Sequence, residues 1–137
     1  MKNARFPIRV YWEDTDAGGI VYHANYLKFM ERARSDLLRQ LGFGQDAQRD
    51  REDGVLFVVA SLSINYHRGA KLDDDLEVVT RLEKLGRASL IFEQNIFRGE
   101  ERITTGKVRV GVIGARSHMP TPIPDDLYEK ILPWVEA

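Results

Sequence analysis

One segment, Tyr22 to Leu41, is apolar around so much of a helical circumference that the rest of the chain has to fold around it. Tyr26, Phe29, Met30, Ala33, Leu37 and Leu41 recur at steps of three and four, and Leu27 and Leu38 widen the stripe. The spacing predicts a helix from about Val21 or Tyr22 to Leu41, stopped by Gly42. Most of what remains alternates with a period of two. Ile8, Val10 and Trp12 alternate with Arg9 and Tyr11. Val55 to His67 is β-branched and aromatic, with Leu62, Ile64 and Tyr66 on one face. Leu76, Val78, Thr80 and Leu82 form the next set. Leu90, Phe92, Gln94 and Ile96 follow a Gly86–Arg87 turn, and Val108, Val110 and Val112 alternate with Lys107 and Arg109. The links Gly69–Asp75, Lys84–Arg87 and Gly99–Glu101 are short, which predicts antiparallel neighbours. Gln45 to Gly54 reads as a loop or frayed turn, and the tail as a short helix opened by Pro124 and Asp125. The expected class is α+β: a strand, a long helix, then a four-strand meander, with one five-stranded antiparallel sheet curled around the helix.

Bulk properties narrow the function. A chain of 137 residues suits a single domain over 1–137. Its 20 basic and 21 acidic residues leave a net charge of −1, so no basic footprint points to nucleic acid. Without cysteine there is no disulfide, thiolate metal site or cysteine nucleophile, which fits a cytoplasmic protein. The opening MKNARFPIRVYWED lacks the apolar core of a secretion signal. The longest apolar run, Val55 to Ala60, is too short to span a bilayer, so no membrane insertion is expected. Three histidines, His23, His67 and His118, lack zinc spacing. A calcium loop opened by Asp14 and Asp16 would need glutamate where Asn25 stands, and Asp73–Asp74–Asp75 reads as a solvated connection. There is no Gly-x-Ser-x-Gly elbow or P-loop. Neither a metal nor a cofactor is expected.

Chemistry concentrates between Arg9 and Arg34, RVYWEDTDAGGIVYHANYLKFMERAR. Asp16 lies a few residues ahead of the helix, whose first turn offers free N–H groups and a partial positive charge. A carboxylate facing such donors is half of an acyl-transfer site: one group attacks or activates water, and the other steadies the oxyanion. The structural alternative makes Asp16 a turn or capping residue.

This segment resembles the signature of hot-dog-fold acyl-CoA thioesterases of the 4-hydroxybenzoyl-CoA thioesterase type, closest to the branch associated with the bacterial Tol-Pal system. The resemblance continues through SINYHRGAKLDDDLEVVTRLEKLGRASL, Ser63 to Leu90, and fades after about Gly114. It implies a hot-dog fold and hydrolysis of a short-chain, aromatic or fatty acyl thioester to free acid and coenzyme A, with no cofactor beyond the coenzyme A of the substrate.

By motif match the resemblance makes Asp16 the catalytic carboxylate, acting as nucleophile or general base. A thiol leaving group departs as thiolate with little acid help. The resemblance also aims the His23 backbone N–H at the thioester oxygen; the His23 side chain either orients Asp16, binds water or protonates the thiolate, or packs against Tyr22. Gly18 and Gly19 permit close backbone approach or positive φ. Gly19, Tyr22 and Asn25 are candidates for positioning the substrate, Asn25 equally for a structural role in the first helical turn. Arg87 and Ser89 match positions that contact the nucleotide end of coenzyme A in the family; Arg68 and Lys71 are weaker candidates, and each could be a solvated surface charge. Glu31, about 12 Å along the helix from His23, is too far to share a site with Asp16 and pairs with Arg34 on the helix surface or at a subunit contact. Acyl carrier protein is an alternative thiol carrier. A homodimer or homotetramer, with the active site between subunits, follows from exposed sheet edges and from the resemblance. Two rival readings are a hot-dog enoyl-CoA hydratase using Asp16 with His23, and a non-catalytic acyl-CoA or acyl-carrier-protein binding module.

Overall fold

A computed structural model describes residues 2–136, without the side chains of 45–47 and 136; Met1 and Ala137, the ends of the expected domain, lie outside it. Five strands, β1 (Asn3–Arg9), β2 (Val55–Tyr66), β3 (Asp75–Leu85), β4 (Ser89–Arg98) and β5 (Glu101–Gly114), form one antiparallel sheet in the order β1-β3-β4-β5-β2. The helices are α1 (Asn25–Gln40), α2 (Gln45–Asp50) and α3 (Asp125–Glu136).

The alternation expected in β3, β4 and β5 is present. Leu76, Val78, Thr80 and Leu82, then Leu90, Phe92, Gln94 and Ile96, then Val108, Val110 and Val112 point inward. Tyr26, Phe29, Met30, Ala33 and Leu37 of α1 pack onto that face. A side chain at Gly106 would come within 3.0 Å of Met30 Cε, so glycine lets the helix lie close to the sheet. The buried polar residues answer one another: Gln94 Nε2 donates to the Met30 carbonyl and to Thr80 Oγ1, both at 2.9 Å, and Arg34 Nη1 donates to Gln94 Oε1 at 2.8 Å. Burial lowers the basicity of Arg34. The expected Glu31–Arg34 pair is therefore corrected: Arg34 turns inward to an amide, and Glu31 accepts from the Ser35 hydroxyl at 3.0 Å.

Four further expectations are corrected. The first strand ends at Arg9; Tyr11 and Trp12 leave the sheet and lie 62% and 79% exposed in and beside a 3-10 turn, Trp12–Asp14. The long helix begins at Asn25 because the N–H groups of Val21 and Tyr22 are taken by the carbonyls of Ala70 and Asp14. It does end at Gly42, whose φ of +85° suits glycine; the Gly42 and Phe43 N–H groups close onto the Arg39 and Leu38 carbonyls in a Schellman motif. Residues 45–50 form the short α2 in place of a loop or frayed turn.

The fourth correction concerns topology. β3, β4 and β5 are a meander, but β2 pairs with β5 at the far edge and not with β3. The link 67–74 is a crossover that passes the end of the β4–β5 hairpin, with the His67 and Arg68 N–H groups both donating to the Ile103 carbonyl. Crossing three strand spacings takes about 14 Å, well within reach of eight residues, so a short link did not require adjacency. β1 and β2 are the edges. Pro7 is tolerated in β1 because an edge strand has N–H groups with no ladder partner to lose. On β2, Val59, Leu62 and Tyr66 stay more than 40% exposed although their register partners on β5 face the core.

Candidate active site

The segment between β1 and α1 is folded by its own acidic and glycine residues. Tyr11 N–H donates to Asp14 Oδ2 at 2.9 Å, which closes the 3-10 turn and buries Asp14. The Asp14 carbonyl then receives the Tyr22 N–H at 2.8 Å and the Asn25 side-chain amide at 2.9 Å, tying the turn to the mouth of the helix. Asn25 therefore holds the loop to the helix. Between these ties, residues 15–21 make a small hairpin: Thr15 bridges Val21, Asp16 N–H donates to the Ile20 carbonyl, and Gly19 N–H to the Asp16 carbonyl. Gly19 adopts φ +81°, a conformation costly for residues with a Cβ.

At the tip, Asp16 is exposed to solvent and its Oδ1 accepts the Gly18 N–H at 2.8 Å. One carboxylate oxygen is thus held and the other has no hydrogen-bond partner among the described residues. A side chain at Gly18 would stand 3.2 Å from that Oδ1. At the mouth of the helix, the N–H groups of His23 and Ala24 donate to no acceptor among the described residues. The His23 carbonyl accepts a 3.0 Å hydrogen bond from the Tyr66 hydroxyl. Its ring lies 4.6 Å from the Tyr22 ring and edge-on to Tyr66 at 6.2 Å, and Tyr66 in turn lies 5.6 Å from Tyr26. The imidazole packs among aromatics and makes no hydrogen bond to Asp16. Burial raises the pKa of Tyr26 and of Tyr66, so both hydroxyls stay protonated at neutral pH and Tyr66 remains a donor.

The nucleotide-end candidates lie elsewhere. Arg87, exposed, sits in the β3–β4 turn, and Ser89 opens β4 opposite Gly111. Tyr66 pairs with Thr104, so the two ends are about 23 Å apart along β5 at 3.3 Å per residue. A single chain separates Arg87 and Ser89 from Asp16. Arg68 and Lys71 lie nearer, on the crossover: Arg68 Nε is 3.4 Å from Glu101 Oε2, and Lys71 bridges Ile20. Among the described residues, no three or more His, Asp or Glu side chains gather in a way that could hold a metal ion, and no helix is long and apolar enough to cross a membrane.

A carboxylate with one pinned and one open oxygen, and free backbone donors at the helix mouth that follows it in the chain, are the parts acyl transfer from a thioester uses. A family model described as the thioesterase superfamily matches residues 18–105, beginning just after Asp16. The chain belongs to the thioesterase superfamily. It is 43% identical over 122 residues to the acyl-CoA thioesterase YbgC of Haemophilus influenzae, covering 89% of each chain. The acyl-CoA thioester hydrolase YbgC of Escherichia coli is 46% identical over 99 residues, 72% of each. Among solved structures, a probable thioesterase from Bartonella henselae superposes with a TM-score of 0.85 at 38% identity, over 90% of this chain and all of that one. The hot-dog architecture that the resemblance implies, in keeping with a sheet and one long helix, is the architecture of this superfamily.

Sequence reasoning found the Asp16–Gly19 turn and missed its supports. Asp14, the buried partner of the helix mouth, enters the sequence reading only as part of a calcium loop that fails. Tyr66 stands 43 residues from the carbonyl it holds, and no local pattern announces such a contact.

Proposed function

We propose that this acyl-CoA thioester hydrolase uses Asp16 as its catalytic carboxylate and the helix-mouth N–H groups of His23 and Ala24 as its oxyanion donors. The observation that carries the reading is the Asp16 carboxylate: Gly18 N–H fixes one oxygen and leaves the other open, on a hairpin that leads into helix-mouth donors no other described residue uses. The free oxygen attacks the thioester carbonyl to give a mixed anhydride and thiolate, which water then hydrolyses, or it takes a proton from the water that attacks. In both cases the products are a carboxylic acid and coenzyme A, and negative charge grows on the carbonyl oxygen where one backbone donor is worth about 3 kcal/mol. The reaction proceeds without a metal or redox cofactor.

The working unit of this reading is a homodimer paired through β2, which assembles further into a homotetramer. Its support is an edge strand with apolar residues exposed beside unpaired backbone. Two-fold antiparallel pairing of β2 brings the Val55 end of one chain alongside the Tyr66 end of the other. Val55 belongs to the end of the sheet that also carries Ser89 and Arg87. The 23 Å gap within one chain is then bridged by the partner, whose Arg87 and Ser89 meet the nucleotide end of the substrate. Arg68 serves the same end from the crossover. Acyl carrier protein remains the alternative carrier. A cytoplasmic setting is the reading that the cysteine-free composition supports, and the link to the Tol-Pal system comes from the family resemblance.

The test is free-thiol release from short, long and aromatic acyl-CoAs, for the wild type and Asp16→Ala side by side. A fall of about a hundredfold or more in the folded variant is expected, in line with losing a nucleophile or base. Equal rates would move catalysis away from Asp16.

A further inference from the structure

The crossover 67–74 carries the loop that carries Asp16. Val21 N–H donates to the Ala70 carbonyl at 2.9 Å, Ile20 bridges Lys71, and Ile20 packs so closely on Gly69 that a side chain there would meet its Cγ2 at 3.2 Å. Ile20 in turn accepts the Asp16 N–H. Residues 69–71 belong to no strand, although Ala70 is buried in the core and the flanking Asp73 N–H and Asp74 carbonyl pair with Val10. Ala70 N–H donates to the Tyr26 hydroxyl at 3.1 Å, and Arg98 supplies a side-chain tie.

Arg98 ends β4, ahead of the tight turn through Gly99. Its Nη1 donates to Asp74 Oδ2 at 2.7 Å and to the Gly69 carbonyl at 3.3 Å, at opposite ends of the stretch that grips Ile20 and Val21. Asp74 Oδ2 also accepts the Lys71 N–H at 2.8 Å, so one guanidinium nitrogen fixes residues 69, 71 and 74 together. The other side of the guanidinium is spent on Glu101, at 3.1 Å from Nε and 2.6 Å from Nη2. Arg98 is therefore bound to a rigid hairpin on one side and to a strandless crossover on the other. A lysine can reproduce one of these arms but not both, because only a planar fork serves two directions.

We infer that Arg98 is a positioning residue for hydrolysis: it touches no substrate and sets where Asp16 stands by way of Gly69–Asp74 and Ile20–Val21. The inference rests on Asp16 being the catalytic carboxylate. Misplacing a reacting group by about 1 Å costs on the order of a hundredfold in rate. Loss of the Arg98–Asp74 arm therefore lowers kcat and leaves substrate binding in place. Loss of the Arg98–Glu101 arm leaves the Arg98 bonds to Asp74 and Gly69 in place and weakens only the Glu101 pairs, that with Arg68 included.

The experiment is a set of steady-state measurements on the full-length protein, with the most active acyl-CoA of the panel, for Arg98→Met, Arg98→Lys, Asp74→Asn and Glu101→Gln, each also in an Asp16→Ala background. Expected are a tenfold to hundredfold fall in kcat for Arg98→Met and Asp74→Asn with KM within about twofold, partial recovery in Arg98→Lys, and kcat near wild type for Glu101→Gln. In the Asp16→Ala background the Arg98 and Asp74 changes cost nothing further, because their effect runs through that carboxylate. If Arg98→Met does not fold, Asp74→Asn carries the same expectation. Wild-type kcat in the folded Asp74→Asn or Arg98→Met protein overturns the inference, as does an equal fold-loss in both backgrounds. Asp16→Ala at the wild-type rate overturns the catalytic assignment and the inference with it; a strong Asp16→Ala effect beside a silent Arg98→Met overturns the inference alone.

Discussion

The Tyr66 hydroxyl donates to the His23 carbonyl at 3.0 Å, so the far edge strand of the sheet grips the residue whose N–H opens the helix mouth. The bond is on the opposite side of the peptide unit chain from the donor that faces the thioester in our reading, and it fixes the tilt of that turn. Tyr66→Phe removes the bond while leaving the ring against His23 and Tyr26. The His23 carbonyl is then left to water at a cost of about 1 kcal/mol, typical of a net neutral hydrogen bond. A three- to tenfold fall in kcat and a melting temperature lower by a few degrees are expected from kinetics and thermal denaturation; an unchanged kcat would show that the turn holds its shape without β2.

Gly18 and Gly19 separate two effects that adjacent glycines usually confound. An added Cβ at Gly19 meets nothing within 4 Å but must adopt φ +81°, so Gly19→Ala should destabilise by about 1 kcal/mol or more and leave the carboxylate unobstructed. At Gly18 the φ is unremarkable and the obstacle is Asp16 itself, 3.2 Å away. Gly18→Ala should therefore lower kcat more than stability. Denaturant midpoints and kcat for the two variants, compared, decide the matter; the reverse ranking would contradict the geometry.

The route taken by Asp16 is accessible to isotope labelling. In a single turnover with enzyme in excess in oxygen-18 water, a general base sends the label into the acid product. A nucleophile whose anhydride is opened at the aspartyl carbon leaves the label in Asp16, where mass spectrometry of the peptide carrying it reads the gain.

Charge on the β2 edge tests the subunit arrangement. Leu62 is 42% exposed on the apolar side of an edge strand, and glutamate there should leave the isolated fold nearly untouched. In a β2-paired dimer the same change buries a carboxylate. Leu62→Glu should run as a monomer by light scattering and lose most of its thiol-release activity, since the partner's Arg87 and Ser89 leave with it. A monomer with full turnover would refute the shared site.

Acid should loosen the crossover first. Burial pushes the Asp74 carboxyl up, but the Lys71 N–H and Arg98 outweigh it and hold it below its ordinary value. The hydrogen bond from Arg98 does the same for the exposed Glu101. Carboxylates that are more acidic folded than unfolded stabilise the protein above their unfolded pKa of about 4, and that contribution disappears as the pH falls through the lower folded values. Stability should be flat in this respect at neutral pH and decline below about pH 4, with a shallower decline in Asp74→Asn. Chemical denaturation at a series of pH values measures both slopes.

What could be read in the chain beforehand was whatever repeats locally. The alternation of Leu76–Leu82 and of Leu90–Ile96 and the stripe from Tyr26 to Leu41 follow from the period of the backbone, and Gly42 stops the helix through its own φ. The start of that helix was misjudged because Val21 and Tyr22 look helical and are held outside it by Ala70 and Asp14, one of them distant in sequence. The place of β2 was misjudged for a related reason: link length limits how far a strand can travel but does not name its neighbour. The residues we propose for the chemistry lie in one motif, whereas Tyr66 and Arg98 are brought to it by the sheet.

The strand order also dictates when each piece of this protein can become stable as the chain leaves the ribosome. β1 waits for β3, and β2, with its apolar residues, waits for β5, the last strand to be made. Long-range pairing of this kind folds slowly and leaves sticky intermediates. A nascent chain halted after Arg98 already has β1, β3 and β4 to lay against α1 but leaves β2 without its neighbour, which makes the synthesis of residues 101–114 the step that gives β2 a place in the sheet.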